Sequence, residues 1–198
     1  MVRRPSPHLA SGELTHLRRV PVDAALAAEQ WEQYVEAFRS RGWTIVEVDP
    51  ADDQPDGVFI EDALVAFGGL VVICRAGAES RRGEADTARS AASELGIRIA
   101  EIADPGTLDG GDVLKLGRTV YVGASCRTNA AGIAQLRELL EPLGRPVVEV
   151  PVTRVLHLKS GLTALPDGTV IGAESLVDDP GCSLTFYRFP KHTDPRSW

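Results

Sequence analysis

The run Asp109-Gly110-Gly111-Asp112-Val113-Leu114-Lys115-Leu116-Gly117-Arg118-Thr119-Val120-Tyr121-Val122 decides the fold. Two short apolar segments, Val113 to Leu116 and Thr119 to Val122, flank Gly117-Arg118, which reads as a β-hairpin. Beyond it Ile133, Leu136, Leu140 and Leu143 recur at helical spacing. Gly144 then stands where that helix must stop, and Arg145-Pro146-Val147-Val148-Glu149-Val150 reads as a further strand. A glycine ends a helix well because it enters the left-handed conformation without steric cost.

The same unit recurs on both sides. Gly42 precedes Trp43-Thr44-Ile45-Val46-Glu47-Val48, and Gly96 precedes Ile97-Arg98-Ile99-Ala100-Glu101-Ile102. The helices before them carry one apolar face each: Ala27, Trp31, Tyr34, Val35 and Phe38 after Asp23 as N-cap, then Ala85, Ala88, Ala92 and Leu95. Further hairpins are expected from Val58–Phe67 through Gly68-Gly69 into Leu70–Ile73, and from Leu162–Leu165 through Pro166-Asp167-Gly168 into Thr169–Ile171. A period of roughly fifty residues lies in the range of propellers and stacked arrays. Radially arranged, such units share a core and bring equivalent hairpin entries to a central channel. Those entries carry Glu61 and Asp62, then Asp109 and Asp112, then His157.

Composition narrows the function. With 198 residues, 43% hydrophobic content and a net charge of −7, the chain can bury a sizeable core, and its acidic balance argues against nucleic-acid or anionic-membrane binding. No apolar run is long enough to span a bilayer, and Met1-Val2-Arg3-Arg4-Pro5 opens no signal peptide, so a cytoplasmic location is expected. Cys74, Cys126 and Cys182 show no disulfide or zinc spacing; His8, His16, His157 and His192 are scattered; no glycine-rich phosphate cradle follows a strand. Neither a metal nor a nucleotide cofactor is expected, and association into homo-oligomers stays open.

Glu61 and Asp62 sit inside the run Val58 to Val65, where strand alternation would turn a carboxylate toward a packed face. With Asp56 they suit either a planar guanidinium ligand, bound through bidentate carboxylates, or a structural pairing with arginines of the chain. His157 follows the strand-like Val152–Leu156; it is a core histidine or, with Asp109 orienting it, a proton-transfer residue. Arg81 and Arg127 each follow a hairpin at a helix start, beside Ser80 or Thr128 as possible caps. A cation there opposes the helix dipole and suggests a bound carboxylate.

Taken in order, Pro55-Asp56-Gly57-Val58-Phe59-Ile60-Glu61-Asp62, Arg75 to Glu84, Leu108-Asp109-Gly110-Gly111-Asp112-Val113, Ser125-Cys126-Arg127-Thr128-Asn129 and Leu156-His157-Leu158-Lys159-Ser160-Gly161 resemble the successive motifs of dimethylarginine dimethylaminohydrolases. The resemblance implies an α/β fold of the guanidino-modifying, pentein type, a propeller of ββαβ repeats with about three to four of the family's five present here. It implies one incomplete domain over residues 1–180, a divergent tail over 181–198, and a small guanidino substrate. Asp56, Glu61 and Asp62 would receive the guanidinium and neighbouring groups, and Arg81 and Arg127 the amino-acid end. His157 would be general acid and base with Asp109 as its partner, Asp112 would shape its turn, and Leu9 to Leu14 would form a lid. The implied chemistry is attack by a cysteine thiolate, a covalent thiouronium intermediate, and hydrolysis to citrulline and an alkylamine.

The family's nucleophile lies in a Gly-Gly-Val-x-Cys segment near the C-terminus, which this sequence lacks. The expectation is a truncation or frame change near Gly181, a tail without the helix and strand that would finish the fourth repeat, and a chain inactive as it stands. Cys182 is not in the family position, Cys74 reads as core, and Cys126 reads as structural. The alternatives are a non-catalytic remnant that binds guanidino ligands, or a related arginine deiminase or amidinotransferase.

Overall fold

The computed structural model describes residues 1–15 and 17–178, apart from the side chain of Glu174, and the backbone of residues 186–188. Helix α1 (Ala24–Arg39) is followed by a one-turn helix α2 (Ile60–Ala63), strands β1 (Leu64–Phe67) and β2 (Leu70–Ile73), helix α3 (Glu84–Glu94) and strand β3 (Arg98–Glu101). The second unit runs through a 3-10 turn at Gly110–Asp112, β4 (Val113–Leu116), β5 (Thr119–Ala124), α4 (Ala130–Leu140) and β6 (Val147–Pro151). The third has a one-turn helix α5 (Leu158–Gly161), β7 (Leu162–Ala164), β8 (Val170–Gly172) and β9 (Phe186–Arg188).

The described residues form three sheets of one design: β1-β2-β3, β4-β5-β6 and β7-β8-β9, each an antiparallel hairpin whose second strand pairs in parallel with the third. The repeat expected from the sequence is therefore present, phased as hairpin, connection, strand. A parallel third strand needs a long crossover, which α3 and α4 supply in the first two units. The tail expected to lack a strand contributes β9, which pairs with β8 as β3 pairs with β2.

Three other strand expectations are corrected. Residues 43–48 make no regular strand; Glu47 forms one isolated parallel bridge to Val2, because only that short N-terminal segment lies beside it. Val58–Phe67 is not one strand, since Phe59 N–H donates to the Asp56 carbonyl and Asp62 N–H to the Phe59 carbonyl, which winds the chain into α2 before β1 begins. Likewise β6 ends at Pro151, and Val152–Leu156 is loop.

The sheets share their apolar faces. Val65, Phe67, Leu70 and Val72 from the first sheet pack with Val113, Val120 and Val122 from the second and with Ile133, Leu136 and Leu140 of α4. The second sheet's Leu114 and Val150 in turn pack with Leu158, Leu162 and Val170 of the third unit. Strand β2 is buried along its whole length because Val71 and Ile73 face Ala85 and Ala92 of α3 while Val72 faces the other way. No single unit covers its own core. Each hairpin is entered through one helical or 3-10 turn, and these turns hold the polar residues singled out above.

Asp23 caps α1 through the N–H groups of Ala25 and Leu26, and Asn129 caps α4 through that of Gly132. Gly42, Gly96 and Gly144 have φ of 80°, 66° and 61°, the left-handed values expected where helices end. Neither Ser80 nor Thr128 is a cap: their hydroxyls donate to Glu13 and Asp112 instead.

Candidate active site

The turns that enter the first two hairpins meet. Gly110 lies against the Glu61 carbonyl so closely that a side chain there would collide with backbone, and Gly111 donates its N–H to Asp62 Oδ1 at 2.8 Å. A methyl group on Gly111 would stand 2.5 Å from His157 Nδ1 and 2.7 Å from Asp62 Oδ1. The glycine pair thus lets three turns from three units converge, and brings Asp62, Asp109 and His157 together in the interior.

His157 Nε2 donates to Asp109 Oδ2 at 3.1 Å, and Asp109 Oδ1 accepts the Gly77 N–H at 2.9 Å. One polar atom each of Asp62, Asp109 and His157 lies within 4.8 Å of the others. Asp109 is fully buried, and Asp62 and His157 nearly so. Burial pulls the imidazole pKa down, but the hydrogen bond to Asp109 and the charges of Asp62, Asp112 and Asp109 outweigh it and raise it above the ordinary value. The pair is built to carry a proton, and a divalent ion fits it poorly. Arg81 and Arg127 approach Asp109 Oδ2 to 3.9 and 3.8 Å, so two fixed cations already occupy that side.

Asp112 is not in this group. Its Oδ1 accepts the Leu158 N–H at 2.9 Å, and its Oδ2 accepts the hydroxyls of Ser125 and Thr128 at 2.6 and 2.7 Å. It ties the β5–α4 loop to α5 and so fixes where His157 stands. Burial pushes its carboxyl upward against those hydrogen bonds.

The other candidates divide. Glu61, on the exposed side of α2, is paired with Lys159 Nζ at 2.6 Å and points away from the buried trio's packing. Asp62 is held by Gly111 and by Arg81 Nη1 at 3.0 Å, and Asp56 accepts the Glu13 N–H at 2.7 Å. The arginine pairing weighed as a structural alternative is thus real for Asp62, and a lysine plays that part for Glu61. Arg81 is buried and clamped by Glu84. Arg127 is equally buried, yet its Nη1 has no hydrogen-bond partner and its Nη2 donates to Thr15 Oγ at 3.1 Å.

The segment from Leu9 to Thr15 covers this region. Glu13 bonds through its backbone to Asp56 and through its carboxylate to Ser80 Oγ at 2.5 Å, and Arg19 donates to the carbonyls of Ala10 and Gly12. Sequence reasoning placed Glu13 only within the expected lid and gave no role in the site to Gly77, Gly111, Thr15 or Glu84. Only Glu84, three residues after Arg81, carried a readable signal, the spacing of a helical ion pair.

Among the described residues the cysteines are Cys74 and Cys126. Cys74 is buried, and desolvation with the nearby charges of Asp109 and Asp62 pushes its thiol well above the usual range; Cys126 is exposed. Cys182 lies outside the described residues. No helix among the described residues is long and apolar enough to cross a membrane.

Comparison with known proteins agrees with this geometry. The family model described as N,N dimethylarginine dimethylhydrolase, eukaryotic, matches residues 18–160. The chain is 56% identical to the N(G),N(G)-dimethylarginine dimethylaminohydrolase of Streptomyces coelicolor, over 98% of this chain and 75% of that protein. It is 34% identical to the enzyme of that name from Pseudomonas aeruginosa, over 91% of this chain and 71% of the relative. The solved structure of a cysteine-to-serine variant of the Pseudomonas aeruginosa protein, complexed with citrulline, superposes with a TM-score of 0.88 at 33% identity, covering 96% of this chain and 74% of the other. The repeated sheets, the buried acid–histidine pair and these likenesses together show that the chain belongs to the dimethylarginine dimethylaminohydrolase family.

Proposed function

We propose that this chain forms the guanidinium-binding and proton-transfer machinery of a hydrolase for Nω-methylated arginines. The observation that carries the reading is the buried contact of His157 with Asp109 at 3.1 Å, with Asp62 beside both. The buried acids Asp56, Asp62, Glu84, Asp109 and Asp112 outnumber the buried cations Arg3, Arg81, Arg127 and protonated His157, so the interior leaves room for one further cation. A planar guanidinium meets that demand with donors for Asp62 and for Asp109. Arg127, whose Nη1 makes no hydrogen bond and lies 3.8 Å from Asp109 Oδ2, would with Arg81 hold the ligand's carboxylate, Asp56 reaches groups further along the ligand, and the segment from Leu9 to Leu14 acts as the lid. Glu61, paired with Lys159, borders the entrance.

In the reaction, fixing the guanidinium between carboxylates away from water polarises its central carbon toward a thiolate. His157, protonated through Asp109, donates to the leaving alkylamine; it then takes a proton from the water that opens the thiouronium, which yields citrulline. Neither Cys74, whose thiol is held protonated by its surroundings, nor exposed Cys126 is the thiolate in this reading. The repeated sheets support a radial, propeller-like placement of the units around this site, with residues 1–180 and strand β9 as one domain.

Purified residues 1–198 should bind asymmetric dimethylarginine and release no citrulline or dimethylamine. Turnover abolished by C74S or C126S would reject the assignment of those two cysteines as bystanders, and absence of binding would reject the ligand class.

A further inference from the structure

The contact between His157 and Asp109 is one side of a closed circuit of hydrogen bonds, and its other members are buried polar groups from three segments. Thr128, in the loop between β5 and α4, is 2% exposed. Its hydroxyl accepts the Asp109 N–H at 3.2 Å and donates to Asp112 Oδ2 at 2.7 Å. The other oxygen of Asp112 accepts the N–H of Leu158, the residue after His157, at 2.9 Å. Gly123 of β5 makes room for this carboxylate, because a methyl group there would stand 2.5 Å from Asp112 Oδ1. Asp109 and Asp112 are both fully buried and share one turn, in which the Asp112 N–H donates to the Asp109 carbonyl at 3.0 Å.

We propose that Thr128 is a positioning residue for the acid–histidine pair: its hydroxyl ties the Asp109 backbone to Asp112, which in turn holds the backbone beside His157. One bridge thus sets both ends of the 3.1 Å contact. A hydroxyl has one proton to give and two lone pairs, and Thr128 uses both functions here. Asp112 accepts from three donors, the Ser125 and Thr128 hydroxyls and the Leu158 N–H, so the Thr128 proton points to Asp112 and a lone pair is left for the Asp109 N–H. Without the hydroxyl a buried N–H loses this acceptor, a cost that the chain relieves by shifting Asp109 or by admitting water. Either relief disturbs the carboxylate that orients the imidazole. Serine at this position keeps the donor and the acceptor, whereas valine keeps the shape and loses both, so the two substitutions separate the hydroxyl from the packing. The inference rests on the proton-transfer reading above and adds to it a residue outside the pair.

The test follows the His157 ring resonances against pH in the unaltered chain, in T128V and in T128S, each as residues 1–198. The charged groups that face the pair, Asp62, Asp109 and Asp112 together with Arg81 and Arg127 beside Asp109, are kept in all three. The T128V midpoint should fall below that of the unaltered chain, and the T128S midpoint should match it. Amide exchange supplies the second readout. Measured against the amides of β4 and β5, the Asp109 N–H should exchange roughly threefold to tenfold faster in T128V, the loss expected for one hydrogen bond, and unchanged in T128S. A lowered melting temperature in T128V with the His157 midpoint in place would mean a merely structural role and overturn the proposal. So would a T128S midpoint displaced as far as that of T128V. Should T128V fail to fold, the unaltered chain still decides: an Asp109 N–H that exchanges as freely as an exposed amide would show that the tether does not hold. His157 titrating at or below the ordinary imidazole value in the unaltered chain would instead remove the proton-transfer reading, and this inference with it.

Discussion

Gly111→Ala puts the convergence of the turns under direct strain. The new methyl would lie 2.5 Å from His157 Nδ1 and 2.7 Å from both His157 Cγ and Asp62 Oδ1. Ordinary contact begins near 3.4 Å, so the imidazole or the Asp62 carboxylate must retreat by close to an ångström. Glycine here is not in the left-handed region, so alanine should stabilise through the unfolded chain by about 0.4–1 kcal/mol. Overpacking of a filled interior costs about 1–3 kcal/mol. The net expectation is a loss of about 1–2 kcal/mol, a fall in melting temperature of roughly 2–8 °C for a chain of this size. Gly69→Ala is the control, since nothing lies within 4 Å of a methyl there and the change should stay within about 0.5 kcal/mol. Thermal denaturation followed by circular dichroism measures both. Equal melting temperatures for the two variants, with dimethylarginine affinity unchanged in Gly111→Ala, would refute the claim that this glycine makes room for the site.

Two further outcomes follow from single contacts. Asn129 accepts from Gly132 and Thr107 N–H groups and donates to the Pro105 carbonyl, so Asn129→Ala should cost about 1–2 kcal/mol by denaturant titration; a change below about 0.5 kcal/mol would contradict the capping role. Because the native His157 pKa is raised, its contribution to stability is full below the ordinary imidazole range and disappears as pH rises through the native value. Asp109→Asn removes the hydrogen-bonding and charged partner, so the stability gap between the unaltered protein and this variant should be widest below the ordinary imidazole range and should narrow as pH rises through the raised native value. A gap that widens with pH would reverse the assigned sign.

Much of the architecture was legible because local signals agreed. Gly42, Gly96 and Gly144 ended helices, and the apolar spacings of Trp31 and Val35, of Ala88 and Ala92, and of Leu136 and Leu140 gave their buried faces. The stretch from Val58 to Val65 was misread because its apolar residues fit a buried strand as well as a helical turn, and periodicity alone cannot separate them. What decides it is distant: the turn nests against Gly110, far along the chain. The site divides along the same line. The meeting of Asp109 with His157 was inferable from the repeat, since equivalent turns enter equivalent hairpins. The fates of Glu61 and Arg81 depended on Lys159 and Glu84, side chains whose positions no spacing rule supplies. The tail's strand β9 was hidden because its run of mixed residues matches no motif, and its pairing with β8 is fixed by the sheet.

The central claim, that a guanidinium takes its place between Asp62, Asp109 and His157, is tested most directly by following the His157 ring C–H resonances against pH, with and without saturating dimethylarginine. Without ligand His157 should titrate above the ordinary imidazole value, for the reasons of charge and hydrogen bonding given above. With ligand its pKa should fall, because a cation shared by Asp62 and Asp109 repels the imidazolium and competes for the same oxygens. Asp62→Asn should weaken binding and shrink that fall. An identical titration curve at ligand saturation would contradict the account, since a guanidinium bound elsewhere would leave His157 undisturbed.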